Sequence, residues 1–478
     1  MNCVRLFCMC GLLACLIVGV SPSRADVFSQ CPPDVDGIDT DGDGIVDNDN
    51  ICIHLTGGDG FANMADGTLL YTFGFDDVTG VPDADVMLTG RLAADLPGPT
   101  IVVREGQKLY ISLTNVGMQM RPDLFDPHTV HFHGFPEAAS IFDGVPEPSL
   151  SINMGSTFTY FYNLVEPGTY AYHCHVEATE HMQMGMVANI YVLPIQDMLP
   201  DLTDLNGFTH HTGYQYAYND GDGSTYYDVE YPMQLNSFDR IFHERHIAVQ
   251  PLPFATMKDT YAMFNGRGYP DTVNPNVLWN TAGDLGLQSH PSQAVSSLIS
   301  ATQGQKILLR VVSMSVTTSF TVSAMGIPMK VIGRGARILR GPDPDGPGPL
   351  LGKNLYYDTS SITVAGGEAW DLLLDTTNVA PGTYFFYTTN LNYLSNDSED
   401  FGGMMTEIVV SPPPPPAQSL PGDINVDGSV DSSDVTLFVG VLLGSSSTPD
   451  AMTASDMNAD GLNDGLDIQL FVDAMTMP

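Results

Sequence analysis

The sequence is poor in basic residues. Of its 478 residues only 17 are lysine or arginine, against 56 that are aspartate or glutamate, so the formal net charge is −39. A surface of this sign repels phosphate backbones and anionic membranes, which argues against nucleic acid as a partner. Asp-rich stretches near both ends carry part of this charge, and this clustering indicates cation sites rather than a uniformly acidic surface.

Tryptophan is scarce, and long apolar runs are almost absent. The 2 tryptophans contrast with 20 tyrosines and 22 phenylalanines, and the chain has 47 glycines and 34 prolines. Many turn residues and many aromatic strand formers favour an all-β fold. After the first 25 residues no segment reaches the ~18 apolar residues that a membrane-spanning helix needs, so no membrane span is predicted.

The one long apolar run lies at the start of the chain. Leu6–Val20 follows Arg5 and precedes Ser23-Arg24-Ala25. A basic start, an apolar core and a small-x-small site are typical of a secretory signal peptide. The segment Leu12–Cys15 loosely resembles a lipoprotein signal, but the apolar run continues past it, which argues against cleavage there. We therefore expect a secreted, periplasmic or cell-surface protein.

Cysteine is also scarce once the signal is removed, because four of the 7 cysteines lie within it. Cys31 and Cys52 flank a short Asp-rich loop and can pair in an oxidising compartment. Cys174 is then left alone among histidines. An unpaired thiol in a secreted protein needs a chemical reason.

The middle of the chain contains a duplicated pattern of short β-like segments such as Thr100–Val103 and Lys108–Leu113. Three motifs recur in matched pairs: Glu105–Lys108 with Gln303–Lys306, Pro167–Tyr170 with Pro381–Tyr384, and Gly185-Met186 with Gly403-Met404. Each motif precedes an apolar or aromatic run. Two similar antiparallel β-barrels or sandwiches in tandem are therefore predicted.

Composition divides the chain into six segments. They are a signal peptide 1–25, an Asp-rich module 26–62, a first β-domain 63–197, a second β-domain 198–411, a Pro-rich linker 412–420 and a small domain 421–478. The five consecutive prolines of the linker favour a stiff, extended conformation.

The first β-domain carries two groups of histidines. The residues are His128, His131 and His133 in one group, and His173, Cys174, His175, His181 and Met186 in the other. A thiolate, two imidazoles and a weak thioether are the ligand set of a blue copper site. Alternate residues of a strand share a face, so His173 and His175 point to one side and Cys174 to the other. One strand can therefore reach two metal centres.

These motifs resemble those of the multicopper oxidases, over residues 66–411. The resemblance implies an all-β chain of two tandem cupredoxin-like Greek-key β-barrels or sandwiches. It also implies a type 1 copper held by His128, Cys174, His181 and Met186, and half of a trinuclear cluster of type 2 and type 3 copper at His131, His133, His173 and His175. Because buried imidazoles without a metal would each need a hydrogen-bond partner, we expect at least one further copper bound by some of these four side chains. Met182 and Met184 compete for the axial position, but the place of Met186 after Gly185 and before the closing strand favours Met186.

The second β-domain departs from the family pattern. The family's trinuclear cluster uses eight histidines, four from each of two domains, whereas Tyr387-Thr388-Thr389 stands here where His173–His175 would recur, and Thr317–Ser323 has no histidine. The remaining candidates, none in an H-x-H pair, are His210, His211, His243, His246 and His290. We predict that His243–His246 lies in a polar surface loop. An identical partner subunit would lack the same histidine ligands in its second domain. Formation of an oligomer would therefore not complete the cluster, and the sequence does not exclude an oligomer.

Three classes of function remain. The first is a copper-dependent oxidoreductase that takes electrons from a small-molecule or metal-ion reductant at type 1 copper and passes them to a second copper site. A nitrite-reductase-like enzyme with one type 2 copper is a variant of it. The second is a secreted type 1 copper electron-transfer protein, and the third a copper-binding structural protein. The same-face histidine pairs favour the first class, because an electron carrier has no use for them.

Asp/Gly loops typical of calcium sites occur towards both ends of the chain. A repeat of period 33 places oxygen-bearing side chains at loop positions 1, 3, 5 and 12, at Asp423, Asn425, Asp427 and Asp434 and again at Asp456, Asn458, Asp460 and Asp467. Each loop leads into an amphipathic segment. The layout resembles dockerin type I modules, which implies a small α-helical calcium-binding domain and a cohesin-bearing scaffold or cell-surface partner.

A further loop contains Asp39, Asp41, Asp43 and Asp47. It resembles a single thrombospondin type 3 calcium repeat, stapled by Cys31 and Cys52. Calcium is therefore the second expected cofactor, beside copper.

Overall fold

The computed structural model describes residues 29–341, 352–413, 420–445 and 449–476. Its contacts divide the chain into two compact units, and the boundary along the chain falls between Ser411 and Pro412. The predicted signal peptide and most of the predicted linker lie outside the described residues.

The first β-domain consists of two four-stranded sheets. Its elements are β1 (Asn50–Asn63), β2 (Leu69–Asp77), α1 (Asp83–Thr89), β3 (Gly98–Arg104), β4 (Lys108–Gly117), β5 (His131–His133), β6 (Thr157–Asn163), β7 (Gly168–His173), α2 (Ala178–Met184) and β8 (Val187–Leu193). The sheets have the strand orders β2-β1-β4-β6 and β3-β8-β7-β5. Tyrosine, phenylalanine, valine and isoleucine alternate along these strands, so one face of each sheet packs into a shared core.

This domain begins earlier than the sequence predicted. Strand β1 pairs with both β2 and β4, so residues 50–62, which we assigned to the Asp-rich module, belong to the first sheet. Glycines hid the strand, because they carry no side chain to show the two-residue alternation. They are needed for close approach: a Cβ added at Gly60 would lie 2.9 Å from the Cβ of Ala94.

The second β-domain repeats this plan with additional short strands. Its elements are β9 (Asp204–Leu205), β10 (Phe208–Thr209), β11 (Gln215–Tyr216), β12 (Tyr226–Tyr227), β13 (Val229–Phe238), α3 (Arg240–Ile247), β14 (Tyr261–Phe264), β15 (Leu278–Trp279), β16 (Pro291–Gln293), β17 (Ile299–Thr302), β18 (Lys306–Ser313), β19 (Phe320–Ala324), β20 (Met329–Arg334), β21 (Arg337–Ile338), β22 (Tyr357–Thr359), β23 (Ile362–Val364), β24 (Ala369–Asp375), β25 (Gly382–Thr388) and β26 (Met405–Ser411). The main sheets have the orders β14-β13-β18-β24-β20-β21, with β22 beside β20, and β17-β26-β25-β19-β23.

The two domains share one topology down to single hydrogen bonds. Strand β13 is parallel to β18 as β1 is to β4, and β17 is parallel to β26 as β3 is to β8. The Gln107 side chain accepts the Arg104 backbone N–H at 2.9 Å, and Gln305 accepts that of Thr302 at 2.7 Å. The predicted all-β fold with two cupredoxin-like domains is confirmed.

The C-terminal unit is a small helical domain with α4 (Ser432–Leu442), α5 (Pro449–Ser455) and α6 (Asp467–Thr476). Phe438 of α4 and Phe471 of α6 occupy equivalent places in the two repeats. Their rings stack with centroids 4.1 Å apart and an interplanar angle of 5°, so the repeats pack against each other through matching side chains. Among the described residues, no helix combines the length and apolarity that crossing a membrane requires.

Candidate metal centres

The first candidate centre forms where β7 ends and β8 begins. Cys174 follows β7, and its backbone N–H donates to the carbonyl of Met186, the residue before β8, at 3.2 Å. Between them α2 carries His181, whose carbonyl accepts the Met186 N–H at 2.9 Å. His128 comes from the segment before β5, which is held by a bridge to Ile152. Three chain segments therefore converge on one buried point.

The potential ligand atoms of this centre lie close together. Those of His128, Cys174 and His181 are all within 4.8 Å of one another. Cys174 Sγ is 3.1 Å from His181 Nδ1, and the imidazole rings of His128 and His181 have centroids 5.2 Å apart. All three side chains have no exposed surface. The structure thus brings together three of the residues assigned to type 1 copper.

Both imidazoles are short of hydrogen-bond partners. Neither ring nitrogen of His128, nor Nε2 of His181, has a partner among the described residues. Burial lowers the pKa of His128 to about 3, and that of His181 well below its usual range, so both rings are neutral. Leaving a buried polar atom unsatisfied costs about 1–3 kcal/mol. Neutral buried imidazoles with free nitrogens beside a thiol are the donor set that copper would satisfy.

Burial also raises the pKa of the Cys174 thiol to about 11. The Thr129 backbone N–H donates to Cys174 Sγ at 3.4 Å and opposes this rise, because it favours the thiolate. The thiolate is the form that ligates a metal. Binding of a cation here is therefore coupled to loss of the thiol proton.

Met186 is the methionine that faces this centre. A Cβ added at Gly57 of β1 would lie 3.2 Å from His128 Cδ2 and 3.3 Å from Met186 Cε, so the thioether and the imidazole flank the same point. Met182 lines a different cavity, whereas Met184 and Met186 are both buried in the core of the first domain. The geometry therefore agrees with Met186 as the axial candidate among the three.

The second candidate centre lies on the other side of the strand that leads to Cys174. His131 on β5 pairs in register with His173 on β7. The ligand atoms of His131, His133 and His173 lie within 4.8 Å of one another, with His133 Nδ1 and His173 Nε2 3.2 Å apart. The ring of His175 lies 5.2 Å from that of His131, beside the group of three. The alternation predicted from the sequence therefore produces two adjacent sites.

Backbone carbonyls set the orientation of these imidazoles. His131 Nδ1 lies 2.5 Å from the carbonyl of Asp143, and His173 Nδ1 lies 2.9 Å from that of Cys174. Each Nδ1 therefore carries the proton and donates it, which leaves Nε2 as the free lone pair. Burial lowers the pKa of His173 to about 3 and also lowers that of His133. The lowered pKa values favour the neutral rings of His133 and His173, which is the form that ligates a metal.

A cavity of about 410 Å³ opens in front of these histidines. Its opposite wall comes from the second β-domain of the same chain, from the β18–β19 loop at residues 315–319 and from Gly366-Gly367. Hydroxyl and backbone groups dominate this wall, and no described lining residue outside the first domain is a histidine. The sequence revealed the absence of histidine in this segment but not that the segment faces the site.

The prediction for His243 and His246 was wrong. Both are buried on α3, which is capped by Asp239 at its N-terminus and packs against the first domain through Phe242. His243 contacts the carbonyls of Tyr71 and Gln183, at 2.6 Å and 2.9 Å. The polar residues between the two histidines lie on the outer face of the helix, and they made the segment look like a surface loop.

His246 belongs to a buried network that the sequence did not reveal. Its Nε2 lies 2.7 Å from Glu180 of α2, and its backbone carbonyl accepts from Arg121. The ring of Phe73 lies between His246 and His181, with centroid distances of 4.9 Å and 5.6 Å. The network therefore braces the helix that carries His181.

The other histidines lie outside both groups. His210 bonds to the hydroxyl of Tyr216 at 2.9 Å, and His211 lies 3.2 Å from an Asp201 oxygen. His290 is half-buried, and its backbone N–H donates to the Asn280 side chain.

The two C-terminal loops have the same internal hydrogen bonds, one period apart. Asp434 accepts the backbone N–H groups of Ile424 and Asn425, and Asp467 accepts those of Met457 and Asn458. The first-position aspartates also match. Asp423 accepts from Asp427 and Gly428, and Asp456 accepts from Asp460 and Gly461. All eight predicted ligand residues therefore lie in two equivalent loops.

The N-terminal loop divides its aspartates between two groups. Asp39, Asp41 and Asp43 lie together, whereas Asp47 groups with Asp34 and Asp36. Cys31 and Cys52 form the expected disulfide.

Comparisons with known proteins agree with this architecture. Family models described as multicopper oxidase match residues 84–197 and 244–411, and a model described as dockerin type I domain matches residues 421–474. The thrombospondin type 3 resemblance has no counterpart among these matches.

Among curated relatives, the chain is 26% identical to a multicopper oxidase of Mycobacterium tuberculosis over 281 residues, which cover 57% of this chain and 47% of that protein. It is 27% identical to a copper-containing nitrite reductase of Neisseria gonorrhoeae over 183 residues, which cover 38% of this chain and 44% of that protein. The chain thus spans about half the length of these relatives.

A solved structure of a blue copper oxidase from Nitrosomonas europaea shares the fold. The TM-score is 0.51 at 20% identity, over 75% of this chain and 85% of that one. The chain therefore carries two domains of the multicopper oxidases, a family of oxidoreductase enzymes, ahead of a dockerin type I domain.

Proposed function

We propose that this protein is a copper-dependent oxidoreductase that takes electrons from a small-molecule or metal-ion reductant at a type 1 copper and passes them to a second copper site. The observation that carries the proposal is that two candidate metal centres lie next to each other. One contains Cys174, and the other contains its chain neighbour His173. The type 1 ligands are His128, Cys174, His181 and Met186. The free nitrogens of His128 and His181 support this assignment, because no described protein group uses them.

The second copper is held by His131, His133 and His173, with His175 beside them. Copper at this position would supply a one-electron redox centre that is open to the cavity. The chain itself provides a short connection between the centres, because His173 is bonded covalently to Cys174 and also donates its Nδ1–H to the Cys174 carbonyl at 2.9 Å. The histidines would therefore hold the second copper, and the His173–Cys174 link would keep it close to the first.

A nitrite-reductase-like activity is the second candidate. The observation that favours it is the cavity wall, where the described residues of the second domain offer hydroxyl groups and no imidazole. Three histidines suffice for a single copper, whereas the family's trinuclear cluster uses eight. Partial similarity to a copper-containing nitrite reductase is in keeping with this candidate.

The dockerin domain attaches this activity to a partner. We propose that Asp423, Asn425, Asp427 and Asp434, and their counterparts one period later, bind calcium, and that the folded module binds a cohesin-bearing scaffold or cell-surface protein. Calcium at Asp39, Asp41, Asp43 and Asp47 is part of the same proposal. The Cys31–Cys52 disulfide supports a secreted, periplasmic or cell-surface location, because disulfides persist in oxidising compartments.

Metal analysis combined with spectroscopy tests the oxidoreductase. Copper-loaded protein should contain at least two coppers per chain, of which one gives an intense blue or green thiolate-to-copper absorption. Ascorbate should bleach that absorption, and dioxygen or nitrite should restore it. One copper per chain, with no recovery by either acceptor, would leave an electron carrier; a colourless copper protein would contradict the type 1 assignment.

A further inference from the structure

The cavity in front of the histidines has no acid of its own. Its described lining residues offer imidazoles, hydroxyls and backbone groups, and none is an aspartate or glutamate. The reduction of a small oxygen-containing acceptor consumes protons together with electrons. Imidazoles that ligate a metal do not supply these protons, so a donor that belongs to the protein must stand behind the wall.

A buried carboxylic acid stands directly behind that wall. Asp259, in the segment before β14, is 4% exposed. Its Oδ2 accepts a hydrogen bond from the Thr317 hydroxyl, and Thr317 lines the cavity. A second path runs in parallel, because Ser237 donates to Oδ2 at 2.5 Å and lies 2.6 Å from the hydroxyl of Ser315, which also lines the cavity.

Asp259 also contacts the helix shared by both centres. The Gln183 side-chain amide donates to Asp259 Oδ1 at 3.4 Å, and Gln183 lies on α2 together with His181 and the cavity-lining Met182. No arginine, lysine or histidine forms an ion pair with Asp259 among the described residues. The charged group that acts on it is Asp239, which caps α3.

We propose that Asp259 is the proton donor of the histidine cavity, and that it acts through the Thr317 hydroxyl when a small oxygen-containing acceptor is reduced there. This inference rests on the proposed function. In the step, the Thr317 hydroxyl, which donates to Asp259 Oδ2 before an acceptor enters, turns its proton to an oxygen of the acceptor, and the protonated Asp259 carboxyl donates its own proton to Thr317 Oγ1. The carboxylate then regains a proton from water, while the electron comes from the external reductant through the copper pair.

The acceptor is a molecule whose oxygen gains a proton as the molecule gains an electron. Nitrite takes one electron and two protons to give nitric oxide and water, the second proton coming from solvent at the cavity mouth. Dioxygen takes four electrons and four protons to give two waters. Both need a donor at the same place, so the role of Asp259 is the same for either.

The environment of Asp259 suits this role. Burial raises its pKa, and the negative charge of Asp239 raises it further, against the hydrogen bonds from Ser237, Thr317 and Gln183. A raised pKa keeps more of the carboxyl protonated near neutral pH. The donor is lost as the pH rises through this pKa, so acceptor reduction should slow with rising pH.

Rapid mixing of ascorbate-reduced, copper-loaded protein with dioxygen, and separately with nitrite, tests the relay. The Asp259→Asn and Thr317→Val variants should return to the blue form about 100-fold more slowly than wild type with whichever acceptor reoxidises it, the usual effect of losing a general acid. Wild type should slow as the pH rises, and D259N should lose that dependence. The matched control is Thr321→Val, because Thr321 bonds to Thr363 on the surface and should behave like wild type.

Infrared spectroscopy gives a readout that is independent of turnover. The wild-type-minus-D259N difference spectrum near neutral pH should contain the C=O stretching band of a protonated carboxyl, which removes the contribution of other buried acids such as Asp95, and this band should shift in T317V, where its hydrogen-bond partner is gone. Unchanged rate and pH profile in D259N and T317V would overturn the relay, as would the absence of this band from wild type. If neither acceptor reoxidises wild type, the proposed function fails. The infrared band then still tests the relay by itself, because a band that T317V leaves unaltered would show that Asp259 does not act through Thr317. If D259N does not fold, T317V still provides both readouts, because it retains the carboxyl.

Discussion

The two cupredoxin-like domains have one topology, but the point where the first domain gathers its candidate type 1 ligands is filled by packed side chains in the second. The Cys174 N–H donates to Met186, and the Thr388 N–H donates to Met404. Thr388 is therefore the counterpart of Cys174. In the same way the Met404 N–H donates to the carbonyl of Tyr393, as the Met186 N–H donates to that of His181, and accordingly Tyr393 replaces His181.

The remaining positions follow from strand register. Gly57 on β1 corresponds to Leu235 on β13, and His128 corresponds to Phe320 on β19. Phe320 and Tyr393 keep the ring arrangement of the histidines they replace, with centroids 5.2 Å apart at 72°, compared with 5.2 Å at 66°. The second domain thus has an aromatic and aliphatic core where the first has ligands.

This difference shows that the fold does not need the metal at this position. A leucine, a phenylalanine, a tyrosine and a threonine fill the space in the second domain, and full burial of the leucine and of the phenylalanine stabilises the domain by about 1.5–3 kcal/mol each. The first domain leaves imidazole nitrogens without partners instead. A buried arrangement of this kind is retained for function rather than for stability.

The largest expected effect comes from giving the first domain the second domain's residue. Cys174→Thr should abolish the blue or green absorption completely, because no thiolate remains, while the domain stays folded as its copy does with Thr388. Visible absorption and circular dichroism measure the two outcomes. The converse variant Thr388→Cys should create no colour, because Leu235, Phe320 and Tyr393 offer no ligand. Colour in T388C would contradict the equivalence.

The second difference between the domains concerns the histidines on β5 and β7. In the second domain Ser323 and Tyr387 occupy the positions of His131 and His173. His133→Ala should lower the copper content by about one per chain and leave the blue absorption unchanged. The physical reason is that His133 belongs to the cavity and not to the buried centre. His211→Ala, at an exposed histidine outside both groups, is the control. Copper analysis that shows full loading of H133A would remove the second site.

The dockerin repeats offer the opposite case, a duplication in which both copies have the oxygen-bearing side chains that we propose as calcium ligands. Chelation of calcium should unfold residues 421–478, because the carboxylates around each empty loop repel one another, and the cupredoxin-like domains should barely respond. Asp434→Asn and Asp467→Asn should weaken calcium binding to similar degrees. Asp473→Asn is the control, since Asp473 is exposed on α6 and its side chain contacts Gln469. Calorimetry in which no transition depends on calcium would count against these sites.

The smallest expected effect concerns buried acids. Burial, with repulsion from Asp76 and Asp77, raises the pKa of Asp95 in the first domain to about 8. In the second domain Asp371 instead accepts hydrogen bonds from Thr169 and Tyr218. Because the folded state holds the Asp95 proton more tightly than the unfolded state, this contribution to stability is full in acid and is lost as the pH rises to about 8.

Asp95→Asn should therefore reduce the loss of stability between pH 5 and pH 9 that denaturant unfolding of the wild type shows. Asn resembles the neutral acid in shape and does not ionise. An equal pH dependence in both proteins would show that Asp95 titrates normally.

Much of the candidate chemistry could be predicted from the sequence because it is local. Cys174, His181 and Met186 lie within thirteen residues of one another, and each calcium loop spans twelve, so spacing alone indicates which side chains can share a cation. Strand alternation alone predicts that the side chains of His173 and Cys174 point to opposite sides of the strand. The duplication, and the loss of ligands from its second copy, were also readable as matched motifs.

Other features depended on contacts between distant parts of the chain. Neither the start of β1 nor the burial of His246 has a local signal, because glycines mask the first and the charged outer face of α3 masks the second. The wall of the histidine cavity and the position of Asp259 behind Thr317 involve residues more than eighty positions from the histidines of that cavity. Such neighbours are selected by the packing of one domain on the other, and packing leaves no periodic pattern in the sequence.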